Sequence, residues 1–244
     1  MLKVRPLSNQ LYIELKDHSA VRAPEIEEKI SQIWSNEEKK RGKNLFNGPI
    51  LSFVNFTQNV IEAKVEDYRS LIAQAHSPHL YDLLKIRPLA VSGFVSVDCQ
   101  ILFGKRALHV TQNPGMWELV PSGGLTPAAF SKGKELAVQE QLFEELREEL
   151  GLNRSMVNAV IPFLLIEDTL SHVIDIGVEV ALSGSRAQID ALSTKRSDEY
   201  SEISWVEASQ IEDFCLKNQN CGIVDVSIEL LKAKKILGPN SKRT

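Results

Sequence analysis

Three glutamates, Glu145, Glu148 and Glu149, close a stretch of good helix formers, and a glycine pair, Gly123 and Gly124, stands upstream of it. From 134 to 150 the chain carries neither proline nor glycine, and Gly151 sits where a left-handed C-terminal cap belongs, so the pattern predicts a helix over 134–150. At helical periodicity the three carboxylates share a sector roughly 100° wide, beside the apolar stripe of Leu136, Phe143, Leu146 and Leu150. Like charges so spaced cost about 0.2–0.5 kcal/mol per pair on an exposed helix. Within 145–149 only Arg147 is a cation, so compensation has to come from outside the helix. A hard divalent ion suits the oxygen donors: magnesium takes carboxylates and completes its shell with water and substrate phosphates. A solvated acidic face is the competing reading, and the carboxylates alone do not separate the two.

The glycine pair and the ending add a pattern. The run PSGGLTPAAFSKGKELAVQEQLFEELREELGL, spanning 121–152, resembles the Nudix box of the Nudix hydrolases, G-x5-E-x7-R-E-U-x-E-E-x-G-U with U apolar. Gly124 matches the opening glycine. Glu145 matches the glutamate after the box arginine, Leu146 the apolar position, Glu148 and Glu149 the glutamate pair, and Gly151 and Leu152 the closing pair. Two positions depart from the pattern. The box arginine is Glu144, and Glu135 stands eleven residues after Gly124 where the pattern has six, which makes 125–134 an insertion. The resemblance implies an α/β/α sandwich around a mixed sheet over about 87–237, with Glu145, Glu148 and Glu149 as ligands of Mg2+ or Mn2+ and a Gly-Gly turn against the substrate.

Composition sets bounds on the whole chain. It has 244 residues, 43% of them hydrophobic and 25% charged, which is ordinary for a globular protein with a substantial core. A net charge of -4 gives no general attraction to nucleic acid or anionic membrane, so neither is expected as a partner. Cys99, Cys215 and Cys221 have no metal or disulfide spacing and read as packing residues in a reducing compartment. The first residues lack a signal-peptide core, and the longest apolar run, 159–166, is too short to span a bilayer. A cytoplasmic protein is the expectation.

Read for the elements that must position the glutamates, the chain divides near residue 85. Residues 1–85 read as an α+β extension packed on the main domain: a strand at 11–15, a helix opened by Pro24 and closed by Gly42, strands at 50–56 and 59–65, and a helix near 67–75. His76 and His79 bracket Pro78 in a polar turn and read as surface residues without a third ligand. Residues 86–240 form the main domain. Strands at 89–97 and 101–103 make a hairpin, and 117–121 is a short buried strand before the glycine pair. After the box, strands at 156–166 and 173–182 precede a polar loop over 183–198, a strand at 203–206, and helices near 208–216 and 223–237.

Further site candidates come from the resemblance. Arg106, paired with Lys105 ahead of the glycine turn, falls where the pattern often presents a basic residue to substrate phosphates. The segment DEYSEISWVEASQI resembles the loop that supplies an added acidic residue; Glu199 fits best, Glu202 second, and Glu167 and Asp168 rank below them. A carboxylate there takes a proton from the attacking water, the work of a general base. The N-terminal extension, the widened loop and the absent arginine together look most like the branch containing animal UDP-glucose and UDP-galactose pyrophosphatases. That branch often has a histidine after the glycine pair, where this chain has Leu125. The implied reaction is Mg2+-dependent hydrolysis of a nucleoside diphosphate substrate to a nucleoside monophosphate and a sugar 1-phosphate. The alternative is a Nudix-like module that binds a nucleotide without cleaving it.

Overall fold

The computed structural model describes residues 1–16, 22–42, 45–132, 137–192, 197–218 and 222–239. Its centre is a mixed sheet in which β1 (Leu2–Pro6), β9 (Val157–Asp168), β10 (Ile174–Leu182), β5 (Leu89–Val97), β6 (Gln100–Arg106) and β11 (Tyr200–Glu207) lie side by side in that order. The β10–β5 pair is parallel, and the other pairs on this path are antiparallel. Two short strands complete the sheet: β7 (Trp117–Leu119) pairs with β6, and β8 (Ser122–Gly124) pairs with β5. β5 and β6 form the expected hairpin. Asp98 and Cys99 both have positive φ, which matches the right-handed twist of the flanking strands.

Alternation along the strands builds two cores. On one face, Leu89, Val91 and Val95 of β5 and Ile174, Ile176 and Val178 of β10 pack beneath α4 (Ala137–Leu150), which buries Leu142, Leu146 and Leu150. Each of these leucines contributes about 1.5–3 kcal/mol of burial. On the other face, Phe94, Phe103 and Leu119 meet α6 (Ile211–Lys217) and α7 (Asp225–Ala233) through Ile211, Ile228 and Leu231. The mixed sheet between helices is the fold class expected from the sequence.

The N-terminal part adds a small sheet, β2 (Tyr12–Leu15), β4 (Val60–Asp67) and β3 (Pro49–Thr57), with helices α1 (Pro24–Arg41), α2 (Tyr68–His76) and α3 (His79–Leu84). Its Ile13, Leu51 and Ile61 enter the core under α4, and Leu51 N–H donates to Leu125 O at 3.0 Å, just after the glycine pair. The first strand goes elsewhere: β1 closes the edge of the large sheet against β9 instead of joining its sequence neighbours. Periodicity also missed two short helices, α3, which follows directly on the turn at Pro78, and α5 (Arg186–Leu192), which lies in the stretch that reads as polar loop. Position Glu135 and the first residues of the expected box helix lie outside the described residues. Gly151, at φ 67°, caps α4 by donating its N–H to Arg147 O at 3.1 Å.

Candidate active site

The glycine pair is not a turn. After the cis Val120–Pro121 peptide the chain crosses from β6 to β5, and Ser122, Gly123 and Gly124 pair with Ser92, Val91 and Ala90 as β8. Gly123 therefore shares the face of Val91, the face that α4 covers. Its lack of a side chain is what admits Glu145, because a Cβ built there would overlap the Glu145 carboxylate. Gly124, on the next position, faces open space.

One helical turn on, Glu149 is only 2% exposed. Ser122 N–H reaches its carboxylate, at 3.2 Å from Oε2 and 3.4 Å from Oε1. Gln141, a turn before Glu145, is buried too and donates to Glu145 Oε1 at 2.7 Å while accepting from Thr126 N–H at 3.2 Å. The helix thus turns a column of Gln141, Glu145 and Glu149 onto β8, at the i, i+4 spacing that stacks side chains on one face. Glu148 faces outward: Arg147 Nη2 donates to it at 3.2 Å and also to Glu144, at the helix surface. The sector of three carboxylates expected from the sequence is therefore graded, with Glu149 buried, Glu145 half-buried and Glu148 exposed.

The sheet supplies the floor of the site, and sequence reading missed two of its three polar residues. Glu118 on β7 is 5% exposed and accepts from Arg106 Nη1 at 2.6 Å and from Tyr200 Oη at 2.8 Å. The same Tyr200 hydroxyl lies 3.2 Å from Glu149 Oε1. Arg106 also donates through Nε to Gln112 O at 2.8 Å, so the guanidinium expected to face substrate phosphates is tied to protein acceptors. Glu199, 52% exposed at its side chain, stands 3.9 Å from Arg106 Nη2. The available signal was a carboxylate inside an otherwise apolar strand, Glu118 between Trp117 and Leu119.

Burial and like charge push the carboxylates toward holding protons. Burial raises Glu145 to about 7, partly opposed by the Gln141 hydrogen bond and reinforced by Glu148 and Glu199. Burial also drives Glu149 well above the usual carboxylate range, with Glu145, Glu118 and Glu199 adding to it against the Ser122 N–H. Glu118 is raised by its burial although Arg106 and Tyr200 pull it down. Tyr200 is raised by burial and then by Glu149 and Glu118, so its hydroxyl stays a donor. Arg106 is opposed by burial, but Glu118 outweighs it and the guanidinium keeps its charge.

A divalent cation suits these donors. Glu145, Glu148 and Glu149 offer hard oxygen ligands, and the two that face the sheet sit in an environment where negative charge is held at a cost that a cation would offset. Among the described residues, no three His, Cys, Asp or Glu side chains converge closely enough to hold an ion as they stand. Glu148 is turned to Arg147.

The remaining candidates are spread out. Glu202 lies on β11 opposite Lys105 and is exposed. Glu167 pairs with Arg87 at 2.9 Å and Lys3 at 3.5 Å, and Asp168 accepts from Leu170 N–H and Ser171 in the turn after β9. His76 meets the buried Glu37 at 3.2 Å in the N-terminal part, and His76 and His79 are both exposed, as expected. Cys99 is exposed and Cys215 buried, both as free thiols, and Cys221 lies outside the described residues. No described helix is long and apolar enough to cross a membrane.

No protein-family model and no curated protein sequence matches the chain. Among solved structures it is similar to a Nudix hydrolase from Alicyclobacillus acidocaldarius, with 15% identity and a TM-score of 0.42 over 59% of this chain and 89% of that one. A Nudix hydrolase from Nitrosomonas europaea gives 10% identity and a TM-score of 0.40 over 61% and 88%. A MutT Nudix hydrolase from Burkholderia pseudomallei gives 17% and 0.36 over 60% and 96%. All three neighbours are Nudix hydrolases.

Proposed function

We propose that the chain is a Nudix-type hydrolase that cleaves a nucleoside diphosphate linked to a second group, using Mg2+ or Mn2+ at Glu145, Glu148 and Glu149. The observation that carries this reading is the seating of Glu145 and Glu149 one turn apart on a backbone strand, the first over the missing side chain of Gly123 and the second on Ser122 N–H. Such packing of two carboxylates against one another is costly without a counter-charge. When bound, the cation would neutralise the diphosphate and lower the pKa of the attacking water. Gly124 leaves the backbone open to the substrate, whereas the space over Gly123 is taken by Glu145; Glu199, exposed beside the cluster, accepts the proton released as water attacks. Arg106 acts on the substrate only through Glu118 and Glu199 unless it exchanges its protein acceptors for phosphate oxygens.

The substrate favoured by the sequence is a nucleotide sugar of the UDP-glucose kind, giving a nucleoside monophosphate and a sugar 1-phosphate, in a cytoplasmic setting. The widened loop after Gly124, the N-terminal extension and the replacement of the box arginine by Glu144 support that branch. One feature favours a second reading, a module that binds a nucleotide without cleaving it: Glu144 is occupied with Arg147 at the surface, so no cation stands at the position of the box arginine. A panel of nucleoside diphosphate compounds with Mg2+ or Mn2+, read by phosphate release after phosphatase treatment, separates the two. Turnover supports the hydrolase. Ligand-induced thermal stabilisation without turnover supports the binding module.

A further inference from the structure

The hydroxyl of Tyr200 is a meeting point of three elements that are distant in sequence: β11 carries it, β7 carries Glu118 at 2.8 Å, and α4 carries Glu149 at 3.2 Å. The ring reaches that point because Gly104, on the neighbouring strand β6, has no side chain. A Cβ at Gly104 would stand 2.6 Å from Tyr200 Cδ1 and 2.7 Å from Val120 Cγ1. Arg106, two positions further along β6, donates to Glu118 and lies 5.9 Å from the centre of the Tyr200 ring. The hydroxyl has one hydrogen and two carboxylates in reach; Glu118 also accepts from Arg106 Nη1 at 2.6 Å, so its charge is met without that hydrogen, which is left to donate to Glu149 when Glu149 is ionised. The cation of its own helix is engaged elsewhere, since Arg147 is turned outward to Glu144 and Glu148.

We propose that Tyr200 is a positioning residue that holds Glu149 in its working orientation, with Glu118 and Arg106 fixing Tyr200. The inference rests on Glu149 being a cation ligand of the proposed hydrolase. It assigns a purpose to a buried carboxylate and a buried phenol that would otherwise bring only desolvation to the floor of the site. It also accounts for Gly104, whose replacement by any other residue would displace the ring.

Tyr200→Phe removes the hydroxyl and keeps the ring, and it is compared with Glu118→Gln and with the double variant. The readouts are the KM and kcat of the full chain, and Mn2+ affinity by electron paramagnetic resonance. Loss of a group that orients a ligand typically costs 10–100-fold in metal affinity or activity. Tyr200→Phe is expected to lower kcat by about tenfold or more with KM within about threefold, and to weaken Mn2+ binding. The double variant is expected to lose little more than the worse single variant, because the two residues act as one unit. Wild-type kcat and Mn2+ affinity in Tyr200→Phe would overturn the proposal, and so would losses that multiply independently. If the wild type binds Mn2+ but turns over nothing, the hydrolase reading fails and the Mn2+ affinities alone judge the role of Tyr200. If the wild type binds no Mn2+, both readings fall.

Discussion

Gly123 and Glu145 compete for one space: the carboxylate of Glu145 occupies the volume that a side chain at position 123 would fill. Gly124, its neighbour on the same strand, has nothing within 4 Å of the corresponding position. Gly123→Ala should therefore push Glu145 off β8 and lower kcat by about tenfold or more, while Gly124→Ala stays within about threefold of wild type. Neither glycine has positive φ, so backbone conformation alone resists neither change. Steady-state kinetics of both variants, with melting curves to verify folding, check the contrast. Equal losses would mean that the pair matters for access to the substrate and not for the room it gives to Glu145.

Glu144 and Glu149 sit on opposite sides of the same helix. The first is exposed and bonded to Arg147, and the second is buried on Ser122 and Tyr200. Glu144→Ala removes one surface ion pair, worth roughly 0–1 kcal/mol, and should leave most activity intact. Glu149→Gln should remove most of it. Comparable losses in the two variants would show that the register assigned to the box is shifted.

The helix, its cap and its apolar face were legible because they depend on local chemistry: a Gly and Pro-free run, leucines at helical spacing, and Gly151 at the end. So was the placing of Glu145 and Glu149 on one side of that helix, a turn apart. What stayed hidden depends on which strands become neighbours. Glu118, Gly104 and Tyr200 are distant in the chain, and they meet only because β7 and β11 both pair with β6. The glycine pair looked like a turn because glycines usually mark one, yet the pairing of β8 with β5 gives Gly123 a different use, that of leaving room. Nothing in the local pattern of 2–6 distinguishes a strand of the small sheet from the edge of the large one, since that choice is made by β9.

Glu145 and Glu149 both bind protons more tightly folded than unfolded, so the cation-free protein should lose stability as pH rises. A carboxyl whose folded pKa is raised contributes its full stability below its unfolded value of about 4.5, and that contribution is lost as pH rises through the folded value. For Glu145 the window runs from about 4.5 to about 7. Melts in EDTA between pH 5 and 8 should therefore fall steadily, and Glu145→Gln should flatten the slope. Saturating Mg2+ should flatten it too and make wild type more stable than Glu145→Gln. A ligand bound only by the folded state stabilises it, by about 2.7 kcal/mol at 100 times its Kd, and the variant binds it less well. A wild-type slope unchanged by Mg2+ would argue against Glu145 as a ligand.

Asp175 offers a control for that experiment. It lies on β10, alternating with Ile174 and Ile176, whose side chains face α4, and two residues before Gly177, where a Cβ would overlap Leu230 of α7; its side chain therefore points to the opposite face of the sheet from Glu145. It is 6% exposed, accepts from Ser92 Oγ at 3.1 Å through Oδ2, and leaves Oδ1 without a hydrogen-bond partner. Burial raises it to about 7, opposed by Ser92 and helped by Glu118. The sign is the same as for Glu145: stability is full below the unfolded value of about 4 and is lost up to about pH 7. Asp175→Asn keeps the shape and the bond to Ser92 but cannot ionise. It should match or exceed wild-type stability at pH 8, lose that advantage at pH 5, and flatten the pH slope equally in EDTA and in Mg2+. The insensitivity to Mg2+ is the discriminating feature, because the sheet stands between this carboxylate and the proposed cation. A slope change that Mg2+ abolishes would mean that Asp175 is coupled to the cation site through Ser92 and Ser122, whose hydroxyls lie 3.4 Å apart.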